Sequence, residues 1–363
     1  MSKKIIIAGG GTGGHIFPAI AIANALREKE PDIEMLFVGA KGKMEMEKVP
    51  QAGYKIKGID IAGFDRSSLI KNISLPYKLI KSFLQVRNII SSFKPDAAVG
   101  VGGYSSYPVL RYAQALHIPT FIHESNSFAG KSNILLGKKA TKVFVNSEGM
   151  ESFFPADKIC ISGNPVRSNI VHTTISKETA LQSFGLTPDK KTILVVGGSL
   201  GARSINEVMA AHAHEFESLQ LQLIWQTGKS TAATYIERGK PWSNIYVSDF
   251  ITDMAAAYAA ADVVISRSGA MAVTELCVAA KPVIFVPFPH AAEDHQTVNA
   301  QHLVKKNAAQ LISDEDATNK LFAGVVNLVK DEALQKIYKT NIAALAVANA
   351  DKKIATEILV SIA

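Results

Sequence analysis

The chain of 363 residues is 47% hydrophobic and 20% charged, with a formal net charge of +7, which excludes a disordered polypeptide and suffices for two ordinary domains. No run approaches the roughly 18 apolar residues of a membrane span, and Met-Ser-Lys-Lys-Ile-Ile-Ile breaks into glycine too early for a signal peptide, so a cytoplasmic protein is expected. Cys160 and Cys277 stand far apart among apolar neighbours and read as buried thiols, not as a disulfide or a metal site.

The first predicted element is a strand at 4–8, covered on both faces, that ends in Gly9-Gly10-Gly11-Thr12-Gly13-Gly14-His15. Pro18 suits the first turn of the helix that follows. Glycines let backbone N–H groups approach a ligand, and a helix N-terminus adds partial positive charge, so the run is a phosphate or sugar cradle with a titratable His at its lip. Gly9, Gly11 and Gly14 fit a dinucleotide fingerprint, but the next strand, 33–38, leads into Gly39-Ala40-Lys41 without the acidic residue that would hold a ribose. Gly9 and Gly14 also have P-loop spacing, yet His15-Ile16 replaces the Lys-Ser/Thr pair.

Further strands are predicted at 56–60, 97–101, 119–122 and 142–145. Up to residue 165 there are 21 Lys+Arg against 13 Asp+Glu, or +8, leaving 18 against 19, or −1, for the remainder. From Arg66 to Lys94 six basic residues and no acid stand among apolar ones, which reads as a patch facing anionic lipid, with the loop at 64–75 as its best part. Leu75, Leu79, Phe83, Val86 and Ile90 have helical spacing and should pack on the core. Few aromatics interleave the basic residues, which argues against nucleic acid.

Gly163-Asn164-Pro165-Val166-Arg167 is rich in turn formers and reads as a hinge, giving domains at 1–165 and 166–345, with a last helix in 346–363 crossing back to the first. The second half predicts strands at 192–196, 221–225, 244–247, 262–265, 282–286 and 309–312. It repeats the opening as Gly197-Gly198-Ser199-Leu200-Gly201-Ala202. The fold class is therefore α/β, two tandem Rossmann-like domains facing a cleft. Next, Ser266-Arg267-Ser268-Gly269 leads into a helix whose first N–H groups, from Gly269 to Ala272, suit a diphosphate, with Glu275 placed to accept from a ribose diol. The Gln296 amide can both donate to and accept from sugar hydroxyls. Asp314-Glu315-Asp316 precedes a helical stretch and reads as a cap, not a metal site.

Gly10-Gly11-Thr12-Gly13-Gly14-His15, Gly102-Gly103-Tyr104, His123-Glu124-Ser125-Asn126, Gly163-Asn164-Pro165-Val166-Arg167, Gly197-Gly198-Ser199, Ser268-Gly269-Ala270 and Asp294-His295-Gln296 together resemble one family. It is that of the bacterial UDP-N-acetylglucosamine transferases that convert lipid I to lipid II in peptidoglycan synthesis. The likeness runs in order from residue 8 to about residue 300. It implies a GT-B glycosyltransferase with a UDP-N-acetylglucosamine donor, an undecaprenyl-linked lipid I acceptor and no cofactor. It also implies a peripheral place on the cytoplasmic face of the inner membrane, on an anionic surface and beside other cell-wall synthesis proteins. Donor contacts carried over fall at Thr12, Gly13, Gly14, Asn126, Arg167, Ser199, Ile251, Ala270, Met271, Ala272, Val273, Thr274, Glu275 and Gln296. Ile251 would supply backbone contacts to uracil. Thr297 departs from relatives with a second Gln there, and Met271 from those with Leu.

The implied reaction is direct displacement at the anomeric carbon, with inversion. His15 is the first candidate for a role near the acceptor or the β-phosphate, since imidazole exchanges protons near neutral pH. Glu124 and Tyr104 are rivals for base or acceptor positioning, and read alternatively as a structural carboxylate and a wall. Glycine-loop and helix N-termini could meet the leaving-group charge, so strict dependence on a divalent metal is not expected. Competing readings are an NAD(P) oxidoreductase with Lys41 on a 2′-phosphate, a nucleotide-sugar epimerase, and a UDP-sugar sensor without turnover.

Overall fold

The computed structural model describes residues 2–63, 75–198, 200–291 and 294–363, without the side chains of Ser168 and Thr231. Of the basic loop at 64–75 only the last residue is described, and Ser199 also lies outside the described residues. The chain forms two compact units, one running to Arg167 and rejoined by Asn349–Ala363, the other comprising Ser168–Ala348.

In the first unit, the described residues form one parallel sheet in the order β3-β2-β1-β4-β5-β6-β7. Its strands are β1 (Lys4–Ala8), β2 (Glu34–Ala40), β3 (Lys55–Ile59), β4 (Ala97–Gly100), β5 (Thr120–Glu124), β6 (Lys142–Val145) and β7 (Ile159–Ile161). Ile5 and Ile7 point into one apolar cluster, with Ile22, Leu26 and, from the last helix Ala350–Ser361, Ile354 and Ile358. Ile6 and Ala8 point into a second, with Val86, Ile90 and Val109. This alternation is the period of a strand buried on both faces, and each such Ile contributes roughly 1.5–3 kcal/mol.

The helix after β1 begins at Gly13, so Pro18 lies inside Gly13–Lys29 and not in its first turn as expected. Helix Leu75–Phe93 buries Ser82, Val86 and Ile90, while Leu79 is exposed and Leu75 and Phe83 are only half-buried. Cys160, on the edge strand β7, is half-buried and not fully so as expected; Cys277 is buried, and both are free thiols.

The second unit repeats the plan among its described residues with a parallel sheet in the order β10-β9-β8-β11-β12-β13. Here β8 is Lys191–Val196, β9 Leu221–Gln226, β10 Ile245–Ser248, β11 Val263–Ser266, β12 Val283–Phe285 and β13 Gln310–Leu311. Ile193, Val195, Trp225 and Ile265 fill its main core, and the Trp225 indole N–H is satisfied by Asn206 at 2.9 Å.

Strand order reverses between β1 and β4 in one unit and between β8 and β11 in the other. Loops leaving such a pair diverge to opposite faces, which is where open α/β sheets bind ligands. The turns at 9–12 and 101–105, and the described residues of 197–198 and 200–202 with 267–269, are these loops.

Candidate functional site

In the first unit the two glycine turns grip each other. Gly10 N–H donates to the Gly102 carbonyl at 3.3 Å, and a Cβ on Gly103, whose φ is +85°, would stand 2.3 Å from the Gly10 oxygen. The Gly10 carbonyl accepts from His15 Nδ1 at 3.1 Å. A carbonyl only accepts, so Nδ1 carries the proton in the neutral ring and Nε2 keeps its lone pair. Gly102 leaves room for that edge of the ring: a Cβ there would lie 2.8 Å from Nε2. Burial holds the imidazole below its ordinary pKa of 6.5, opposed mainly by the charge of Glu124, so the neutral ring is favoured near pH 7.

Glu124 ends β5 and is 3% exposed. Its Oε1 accepts from the Asn126 backbone at 3.0 Å and from Asn126 Nδ2 at 3.3 Å, while Oε2 accepts from Gly130 N at 3.0 Å and Asn133 Nδ2 at 2.8 Å. Four donors make this carboxylate the clamp of the 125–133 turn. The alternative reading as a structural carboxylate therefore describes its surroundings better than that of an open base. Asn126 is held by it, half-buried at the turn. Tyr104 is 53% exposed, with its ring so close to Gly63 that a Cβ there would stand 1.8 Å away. The Thr12 hydroxyl lies 3.4 Å from His15 Nδ1, and Thr12, Gly13 and Gly14 open a helix that has no side-chain cap. Arg167 lies over the Phe17 ring of the same helix, 4.8 Å from its centroid. Lys41, the residue the oxidoreductase reading needs, is bound to Asp60 at 2.9 Å.

In the second unit the helix Ala270–Ala279 starts from Gly269 in extended backbone with no side-chain cap, so its first N–H groups have the orientation that receives an anion. Ala270 is buried, and Met271, Ala272 and Val273 are half-buried along that first turn. The Thr274 hydroxyl donates back to the Ala270 carbonyl at 2.9 Å, and Glu275, 7% exposed, accepts from Tyr258 Oη at 3.2 Å. The turn is tied to the helix His295–Lys305: Ser268 Oγ donates to the Gln296 carbonyl at 2.8 Å, and Asn299 Nδ2 to the Ser268 carbonyl at 3.1 Å.

These partners bear on three expectations. Gln296 Oε1 accepts from Phe288 N–H at 3.0 Å, which engages one of its two lone pairs and fixes the orientation of the amide. Ile251 N–H is taken by Gln226 Oε1 at 2.9 Å, so a backbone contact from this residue to a ligand falls to its carbonyl. Within Asp314-Glu315-Asp316, Asp316 stands at the N-cap of helix Ala317–Lys330 as read, but its side chain makes no capping bond and pairs with Lys320 at 3.1 Å, while Asp314 pairs with Arg267, whose guanidinium also donates to the Val286 and Pro287 carbonyls. The departure at Thr297 has a local account, since its hydroxyl donates to Asp294 at 2.6 Å.

Sequence reasoning missed Glu45 and Arg267. Each is a charged side chain folded inward to hold backbone groups, Glu45 the N–H groups of Gly11 and Ala40 and Arg267 the carbonyls of Val286 and Pro287, and nothing in its immediate neighbours distinguishes it from a solvated charge.

Residues 5–145 match the glycosyltransferase family 28 N-terminal domain and residues 192–357 the family 28 C-terminal domain. The chain is similar to the UDP-N-acetylglucosamine--N-acetylmuramyl-(pentapeptide) pyrophosphoryl-undecaprenol N-acetylglucosamine transferase of Phocaeicola vulgatus, 53% identical over 98% of this chain and 95% of that protein. The enzyme of the same name from Bacteroides thetaiotaomicron is 52% identical over 98% of this chain and 97% of its own length. Among solved structures, the crystal structure of Acinetobacter baumannii MurG superposes with a TM-score of 0.75 at 29% identity, covering 98% of this chain and 99% of that one. The chain belongs to glycosyltransferase family 28 and is a glycosyltransferase.

Proposed function

We propose that this enzyme moves N-acetylglucosamine from UDP-N-acetylglucosamine to the 4-hydroxyl of the muramyl sugar of lipid I, with inversion, forming lipid II. The observation that carries this reading is the full-length identity of 53% to a transferase of that name, which spans both halves of the chain. In our reading the second unit holds the donor. The N-terminal N–H groups of Ala270–Ala279 receive the diphosphate, Glu275 accepts from the ribose, the Ile251 carbonyl meets uracil and the Gln296 amide donates to the sugar. The first unit activates the acceptor. His15 Nε2 takes the proton of the attacking hydroxyl while Nδ1–H stays on the Gly10 carbonyl, so the imidazolium that forms is already hydrogen-bonded. Thr12, Gly13 and Gly14, with Asn126 and Arg167, complete the donor contacts. Glu124 acts through the turn it clamps, and Tyr104 forms a wall beside the acceptor.

The membrane reading rests on helix Leu75–Phe93. Tyr77, Ile80 and Leu84 are 68%, 64% and 58% exposed, on one stripe, beside Lys78, Lys81 and Arg87. An apolar stripe flanked by cations suits peripheral binding to an anionic leaflet at the cytoplasmic face, where the acceptor is anchored. No helix among the described residues is long and apolar enough to cross a membrane. Roles in cell shape and division, and contact with other cell-wall synthesis proteins, follow from this place in peptidoglycan synthesis.

The test is transfer of labelled N-acetylglucosamine to a lipid I analogue, with the product's anomeric configuration read by NMR. A β-linked disaccharide is expected. UDP binding without transfer, or epimerisation of the free nucleotide sugar, would refute the proposal.

A further inference from the structure

Glu45 opens the helix Glu45–Gln51 and is 1% exposed, whereas 56% of the Glu47 side chain is in water. An ionised carboxylate is costly to bury unless hydrogen bonds answer it. Here Ala40 N–H donates to Oε1 at 2.9 Å and Gly11 N–H to Oε2 at 2.8 Å. Two absent side chains make the slot: a Cβ on Gly39 would stand 2.4 Å from the Glu45 Cγ, and one on Gly10 2.3 Å from its Cδ.

The N–H that Glu45 holds and the carbonyl that His15 uses belong to one planar peptide, Gly10–Gly11. Fixing the N–H of that plane fixes the direction of its carbonyl. The Thr12 hydroxyl, 3.4 Å from Nδ1, is the competing partner, and it can donate to Nδ1 and drive the ring proton to Nε2. That tautomer has no lone pair for an acceptor hydroxyl.

We propose that Glu45 is a positioning residue for glycosyl transfer, pinning the Gly10–Gly11 peptide so that His15 stays in the Nδ1–H tautomer with Nε2 free to accept a proton. The inference rests on His15 as the base. The charged and titratable groups facing that imidazole are Glu124 and His123 from β5 and Glu45 itself. Glu45 favours the protonated ring, so its neutralisation moves the acid limb of the rate profile downward.

The test is Glu45→Gln in the full-length enzyme, which keeps the volume but turns an amide NH2 toward one of the two N–H groups. With histidine nitrogens labelled, wild-type His15 is expected as Nδ1–H near neutral pH, and the variant as a mixture or as Nε2–H. Transfer should fall by roughly 10- to 100-fold, part of what a general base supplies, with KM for UDP-N-acetylglucosamine within about threefold and the acid limb at lower pH. Adding Thr12→Val should return the Nδ1–H signal and part of the rate. An unchanged tautomer would overturn the proposal, whatever the loss of rate and even with a shifted acid limb, because loss of the Glu45 charge alone moves that limb. If Glu45→Gln does not fold, Glu45→Asp, which keeps the charge but not the reach, carries the same tautomer measurement. Wild-type transfer by His15→Gln would instead sink the base assignment; a required His15 whose tautomer ignores position 45 sinks only this inference.

Discussion

In both units the first strand runs into a glycine turn and a helix, yet the turns are filled differently. Beneath Gly9–Gly11 lies a carboxylate, and an imidazole stands at the lip. In the second turn, Gly201 N–H returns to the Gly198 carbonyl at 3.1 Å, Gln226 Nε2 reaches the same oxygen at 3.3 Å, and Gly201 packs against Thr227 and Gly228 so closely that a Cβ would stand 2.1 Å from the Thr227 oxygen. One turn is backed by a negative charge and the other by neutral amides. A negative charge behind a turn disfavours a diphosphate there, and in the proposed reaction the hydroxyl losing its proton meets His15, which stands at the first turn. The shared spacing fixes where a ligand approaches each sheet. What lies behind the glycines decides which ligand it is.

The sharpest way to break this contrast is at the imidazole. His15→Ala should lower transfer by about 10²- to 10⁴-fold, the range of a general base, while calorimetric UDP affinity stays within a few-fold. Second in size, Glu275→Ala should weaken UDP binding by about 10- to 100-fold, as expected for losing a hydrogen bond to a charged group of about 1.5–3 kcal/mol. Gly102→Ala sharpens the comparison from the other side. Its φ of +92° and the 2.7 Å approach of a Cβ to the His15 ring should cost kcat more than UDP affinity, measured in the same two assays.

The acid limb of kcat should lie below pH 6.5, because burial keeps the imidazole neutral there. Below 6.5 the unfolded chain takes up a proton that the folded ring refuses, so stability should also fall as pH drops toward the lowered pKa, visible as a declining denaturant midpoint. His123, wholly buried and held to about 4, contributes in the same direction over a wider window. Smallest is the surface effect. Ile80→Glu should weaken sedimentation with phosphatidylglycerol vesicles several-fold and leave transfer to a soluble acceptor analogue unchanged.

Much of this was legible in the residues. Short apolar runs place twelve strands to within one or two residues of those observed, most clearly in central strands such as β1, β4 and β8, where burial on both faces leaves no polar alternation to blur them. The edge strand β7 was not, being three residues long and only partly buried. β5 was read short at 122 because its last residues, His123 and Glu124, are polar yet buried, at 0% and 3% exposure. Such exceptions concentrate where the site is. Glu45 was invisible for the opposite reason: in Lys-Gly-Lys-Met-Glu-Met-Glu-Lys it looks like one of several solvated charges, and only the vacancy made by Gly10 and Gly39 draws it inward. Partner atoms such as Phe288 N–H on Gln296 belong to neighbouring loops and leave no mark in the spacing.

The assignment of the donor to the second unit is tested most directly by hydrogen exchange of the intact enzyme with and without UDP. The strongest protection is expected over residues 268–279 and 295–305, with little change over 9–11, where Gly10 and Gly11 N–H are already bonded within the protein. Protection centred on 9–15, with the second unit unaffected, would contradict the account.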